Sequence, residues 1–261
     1  METIISIKNL CKTYRNGKYA NEVLKNISFD IQPGKIIGYI GPNGAGKSTT
    51  IKILSGIIAD FTGDVTIMGM DIRKNALEIK RHIGYIPENA ALYEVLTPTE
   101  YLQFIGQLYG MDEDSIADKA EKLFNLFDLG EVGNQRMTTC SKGMKQKVLI
   151  ISGLIHNPEI IFLDEPLNGL DANSVMVVKE VLRQMAADGK TIFYSSHIMD
   201  VVEKISDRII LINEGNVIAD GSFSEISNAS GDASLENLFS RLTGNNDHSA
   251  KAEEIINIFE N

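Results

Sequence analysis

Residues 35–54 read KIIGYIGPNGAGKSTTIKIL, and the rest of the chain is understood from this stretch. The apolar, β-branched run 36–40 predicts a buried parallel strand. Gly41-Pro42-Asn43-Gly44-Ala45-Gly46-Lys47-Ser48 then fits the phosphate-cradling pattern G-x-x-x-x-G-K-[ST], and residues 49–54, from Thr49, continue as a helix with Ile51 and Leu54 on one face. Glycines let successive backbone N–H groups turn inward around a polyphosphate. The helix N-terminus adds partial positive charge at the same place. Lys47 supplies a full charge for the β- and γ-phosphates, and the Ser48 hydroxyl can ligate Mg²⁺. A glycine-rich turn alone would lack the flanking strand and helix that the motif requires. A nucleoside-triphosphate site is expected.

The 261 residues, 43% of them hydrophobic, can bury one large core or two smaller ones. A net charge of −10 argues against a nucleic-acid partner. No stretch approaches the ~20 apolar residues needed to cross a bilayer, and no leader pattern opens the chain. A soluble protein is expected, with any membrane role requiring a partner chain. Cys11 and Cys140 form no C-x-x-C pair, which fits a reducing cytosol without disulfides or a metal knuckle.

The opening segment alternates at Ile5 and Ile7 and again at Ile27, Phe29 and Ile31, the period of half-buried antiparallel strands. Tyr14 is expected to close the first strand before a turn over residues 15–20, where its ring can stack on a nucleobase. Residues 64–72 read as a short strand pair and residues 80–87, KRHIGYIP, as another strand. From 99 to 129 the spacing turns helical, with Gly110 and Gly130 as expected helix ends. The α/β rhythm returns with strands at 160–163 and 191–195, helices at 174–185 and 200–205, and a hairpin of 208–212 with 217–219. Residues 227–234, SNASGDAS, predict a linker before a short amphipathic helix carrying Leu235, Leu238, Phe239 and Leu242. A last apolar patch contains Ile255, Ile256, Ile258 and Phe259.

Three further segments carry chemistry. The strand ending in Asp164-Glu165 places one carboxylate where it can hold a Mg²⁺ shell and the next where it can polarise an attacking water. His197 follows the strand 191–195, again at a carboxyl end. Cys140-Ser141-Lys142-Gly143 is a Ser/Gly turn entering a helix, able to bind an anion, some twenty residues ahead of Asp164.

Together with Asn168-Gly169-Leu170-Asp171, these motifs resemble the nucleotide-binding subunit of an ATP-binding-cassette (ABC) transporter over residues 1–221. The resemblance implies an α/β fold: a P-loop NTPase (RecA-like) core, an N-terminal antiparallel β sub-domain and an inserted α-helical sub-domain at about 88–150. A helical tail, 222–261, would follow. ATP and Mg²⁺ are the implied cofactors. Tyr14 would stack on adenine, Gly41 through Thr49 would hold phosphate, and Ser48, Glu88 and Asp164 would hold the metal. Lys47, Glu165 as base and His197 as γ-phosphate sensor would serve catalysis. Ser141 and Gly143 would reach the nucleotide of a second copy in a head-to-tail dimer, with residues 168–171, Asp171 among the nucleotide contacts, linking the two sites. A separate transmembrane permease would hold the protein at the inner face of the cell membrane.

Two departures stand out. Glu88 replaces the usual glutamine, and Cys140, Lys142 and Met144 replace the commonest residues of the signature turn. This wording is most similar to bacterial ABC-2 type exporters of drugs, antibiotics or sodium. The apolar residues of 89–98 can accept a permease helix or belong to the core. The competing readings are a soluble ATPase of the same family acting on a cytosolic assembly, such as an iron–sulfur scaffold, and a regulatory module that hardly hydrolyses.

Overall fold

The computed structural model describes residues 3–88, 92–230, 234–243 and 259. The alternating opening segment forms a long hairpin of β1 (Ile5–Asn16) and β2 (Tyr19–Ile31). After β3 (Ile36–Ile40) and α1 (Lys47–Leu54), β4 (Thr62–Ile67) and β5 (Met70–Asp71) complete an antiparallel sheet ordered β2-β1-β4-β5. The second sheet draws on β3, β6 (Ile83–Ile86), β7 (Ile160–Asp164), β8 (Thr191–Ser195), β9 (Arg208–Asn213) and β10 (Asn216–Gly221). Its order is β10-β9-β3-β8-β7-β6, parallel except for the β9–β10 hairpin.

Every residue of β3, β7 and β8 is buried, which explains their continuous apolar runs. Their side chains still alternate between two cores. Ile37, Tyr39, Ile160, Phe162, Phe193, Ile210 and Ile212 face the antiparallel sheet, with Ile51, Ile53 and Leu54 of α1 filling the space between. Ile36, Ile40, Ile161, Leu163, Ile192, Ile209 and Leu211 face the opposite core. That core takes in α3 (Pro98–Leu108), α4 (Glu113–Leu126), α5 (Lys142–Leu154), α6 (Ala172–Ala187) and α7 (Met199–Ile205). The inserted helices begin where polar caps allow: Thr97 and Glu100 form a reciprocal capping box on α3, and Asp112 caps α4.

Several local expectations are corrected. Residues 80–82 end a helix, α2 (Ala76–His82), and the strand begins only at Ile83. Strands β1 and β2 run to Asn16 and from Tyr19, so Tyr14 lies inside a strand rather than at its end. Asp128, at φ 56°, takes the left-handed position after α4 that was assigned to Gly130. The first half of the expected linker belongs to α8 (Phe223–Ser230), which precedes α9 (Leu235–Leu242). Of the last apolar patch, Ile255, Ile256 and Ile258 lie outside the described residues, as do residues 89–91.

Helix α5 reaches β6 through two glycines. A Cβ on Gly84 would stand 2.2 Å from the Gly153 carbonyl oxygen, and one on Gly153 would stand 2.7 Å from Ile86 Cδ1. Because the first obstacle is backbone, Gly84→Ala is expected to lower stability by roughly 1–3 kcal/mol. A lower urea midpoint at unchanged slope would show it, and an unchanged midpoint would refute this packing.

Candidate functional site

Parallel strands bring their carboxyl ends to one edge. The register pairs Tyr39 with Ser195, Asp164 with Ser195 and Ile86 with Leu163, so the segments leaving β3, β7, β8 and β6 emerge together. There they surround a cavity of about 640 Å³, within the range of small-molecule sites. Its wall includes Gly41, Pro42, Asn43, Gly44, Gly46, Lys47, Ser48 and Thr49, with Glu88, Glu165 and His197 on the same wall.

Residue 46 must be glycine on two counts. Its φ is 111°, and a Cβ would fall 2.6 Å from Leu24 Cδ2. Ala45, within the same loop, is buried. Gly46 caps α1 without a side-chain hydrogen bond, leaving the first N–H groups of the helix for an anion. Lys47 is buried, and its Nζ donates to the Gly41 carbonyl at 2.7 Å and the Pro42 carbonyl at 3.2 Å. Burial pulls the Lys47 ammonium below the usual lysine value, while the carboxylates of Glu165, Asp164 and Glu88 push it back up.

Asp164 continues the alternation of Ile160 and Phe162, so it leaves the strand on the α1 side. It is buried and accepts from Ser195 Oγ at 2.7 Å. The Glu165 Oε2 accepts from His197 Nδ1 at 2.8 Å and from the His197 backbone N–H at 3.3 Å. Glu165 donates its own N–H to the Ser195 carbonyl at 3.2 Å. The donors of Ser48, Glu88 and Asp164 are all hard oxygens, a set that fits Mg²⁺.

Other sequence candidates lie elsewhere. Tyr14 is not on this cavity's wall; it lines a separate pocket with Phe61, where the Lys12 Nζ sits 4.8 Å from its ring centroid. Its cross-strand partner Asn21 does line the cavity, and directly paired residues share a sheet face. Ser141, Gly143 and Asp171 are also absent from the wall. Ser141 Oγ caps α5 by accepting from Met144 N–H at 3.2 Å, and Asp171 caps α6 by accepting from Ser174 N–H at 3.0 Å. That hydrogen bonding with Ser174 draws the Asp171 carboxyl down to about 2. A Cβ on Gly143 would approach the Gly169 carbonyl oxygen at 2.9 Å, so the two turns lie back to back. Asn21, Val23, Met199 and Phe239 complete the wall and were not singled out from sequence as site residues. No motif marks them, because they arrive from strands and helices folded in from elsewhere.

The family model described as "ABC transporter" matches residues 24–168. The ABC transporter ATP-binding protein NatA of Bacillus subtilis (strain 168) is 33% identical over 237 residues, covering 90% of this chain and 96% of the relative. The linearmycin resistance ATP-binding protein LnrL of the same organism is 36% identical over 223 residues, covering 85% of this chain and 70% of the relative. A dimeric ATP-binding cassette in a post-hydrolysis state, bound to ADP and Pi, shares the fold with a TM-score of 0.78 at 26% identity, over 84% of this chain and 98% of that one.

Removing the charge that the loop encloses tests its role. Lys47→Ala is expected to weaken ATP binding by roughly ten- to a hundredfold, the scale of one hydrogen bond to a charged group. A titration with fluorescently labelled ATP measures it, and unchanged affinity would remove Lys47 from the site.

Proposed function

Because the chain belongs to the ABC transporter family, we propose that it is the ATP-hydrolysing subunit of a membrane exporter. ATP is its nucleotide and hydrolysis its reaction. The observation that carries the detailed reading is the convergence of Lys47, Ser48, Glu88, Glu165 and His197 on one cavity. In it, the loop from Gly41 to Thr49 and Lys47 hold the phosphates. Ser48, Asp164 and Glu88 hold Mg²⁺, which when bound neutralises charge on the phosphates. Glu165 accepts a proton from the attacking water, and His197 orients that carboxylate and meets the γ-phosphate. The adenine extends along the hairpin face shared by Asn21 and Tyr14.

Ser141, Gly143 and Asp171 act in a second copy's site. The off-wall position of all three in one chain supports this arrangement, as does the dimeric state of the similar cassette. ATP closes the head-to-tail dimer and hydrolysis opens it. We place the coupled permease on a separate chain; among the described residues no helix is long and apolar enough to cross a membrane. Tyr93 and Val95 stand exposed after Glu88, and Phe104 meets Tyr93 edge-on, which offers that permease an apolar contact at the inner membrane face. The resistance protein among the relatives supports export.

Glu165→Gln is expected to keep ATP affinity, lower turnover by at least about a hundredfold, and accumulate an ATP-bound dimer. Phosphate release and gel filtration with ATP read both. Normal turnover would overturn the assignment of the base, and a monomer at saturating ATP would overturn the dimer. Affinity purification of this variant from detergent-solubilised cells should recover a polytopic membrane protein; a soluble assembly instead would overturn the exporter reading.

A further inference from the structure

Phe239, near the end of the described chain, forms part of the cavity wall together with Lys47, Glu165, His197 and Met199. It rides on α9, whose N-terminus is capped by Ser234 and whose Leu235 and Leu238 are buried. Both leucines belong to the same core as Val201, Val202 and Ile205 of α7. The Leu235 N–H also donates to Glu203 Oε2 of α7 at 3.1 Å. Helix α7 starts two residues after His197, whose ring is more than half exposed and is held by its 2.8 Å contact with Glu165. The tail helix therefore braces the helix that follows His197, and it places an aromatic ring beside the same cavity.

We infer that Phe239 is a positioning residue for ATP hydrolysis. Its ring stands on the wall it shares with His197 and Glu165, where it limits the room left to the half-exposed His197 ring, while Leu235 and Leu238 hold α9 in place on the core shared with α7. This inference rests on the ATPase reading above. Misplacing a reacting group by a fraction of an ångström slows chemistry far more than it weakens substrate binding. Phe239→Ala should therefore change the rate of the chemical step and leave ATP affinity intact.

The test compares full-length wild type, Phe239→Ala, Phe239→Leu, His197→Ala and the double variant Phe239→Ala/His197→Ala. Steady-state ATP hydrolysis, labelled-ATP affinity and thermal melting are measured for each. Phe239→Ala is expected to lower kcat roughly tenfold with KM and affinity within about twofold, and Phe239→Leu should restore most of the rate. In the His197→Ala background, Phe239→Ala should have no further effect, because the two act as one unit. An unchanged kcat, a loss confined to KM, or additive losses in the double variant would overturn the inference. So would a rate loss matched by the loss of folded protein in both Phe239 variants. A wild type that does not hydrolyse ATP would instead overturn the functional reading itself.

Discussion

The arrangement depends on keeping one ammonium group buried at the end of β3. An unpaired charge there would be severely penalised, so the fold surrounds Lys47 with its own loop's carbonyls and turns three carboxylates toward it. Those carboxylates come from two segments far apart in sequence, Glu88 after β6 and Asp164-Glu165 at the end of β7. They meet because parallel strands point the same way, and because β3 lies beside β8, with β7 and then β6 next in order. Asp164 is held by Ser195 and Glu165 by His197, so these carboxylates also have partners. The sheet order, the glycine loop and the strand-ending acids are thus one solution to one electrostatic requirement.

Much of this was legible in the residues. A parallel strand buried on both faces reads as an unbroken apolar run, and a loop that wraps phosphate tolerates few residues besides glycine at its tightest point. Both signals are local. The elements that were misread lack such signals. Helix α2 presents only Ile79 to the core, too little for a helical period to emerge from KRHIGYIP. Helix α8 begins where Glu225 Oε2 accepts from the Ser222 N–H, and its serine- and asparagine-rich latter half resembles a linker. Gly130 lost its expected role to Asp128 because the short polar side chain of aspartate also tolerates the left-handed region. The expected end of the first strand at Tyr14 came too early because the hairpin needs only residues 17 and 18 as its turn, fewer than its polar composition implies.

Within the single chain, Ser141 and Asp171 already have local work as helix caps. Their two turns are joined besides by Gln146 Nε2 donating to the Pro166 carbonyl at 2.9 Å, and by the Lys142 stem lying 3.3 Å from a Cβ on Gly169. The signature turn is therefore built onto the loop that follows Glu165. In the proposed dimer, a nucleotide touching Ser141 of one copy would press on the segment leaving β7 of that same copy. This offers a short physical route between the two sites, carried by contacts present in one chain.

Glu165 shows how two neighbouring carboxylates come to occupy different places. Strict strand alternation would send it to the face opposite Asp164, toward the helical core. Instead its φ of 51° puts it in the left-handed region, a conformation costing roughly 1–2 kcal/mol for a residue with a side chain. The chain thus turns off the strand directly after Asp164. The bend is held by hydrogen bonds from the Glu165 N–H to the Ser195 carbonyl and to Ser195 Oγ at 3.3 Å. Ser195 Oγ also donates to Asp164, so one buried hydroxyl anchors both residues while their carboxylates diverge. One carboxylate stays at the strand end beside α1, and the other reaches the cavity wall under His197. The left-handed backbone at Glu165 is what sends two neighbouring carboxylates to different places across a single peptide bond, as the proposed roles of metal ligand and base require.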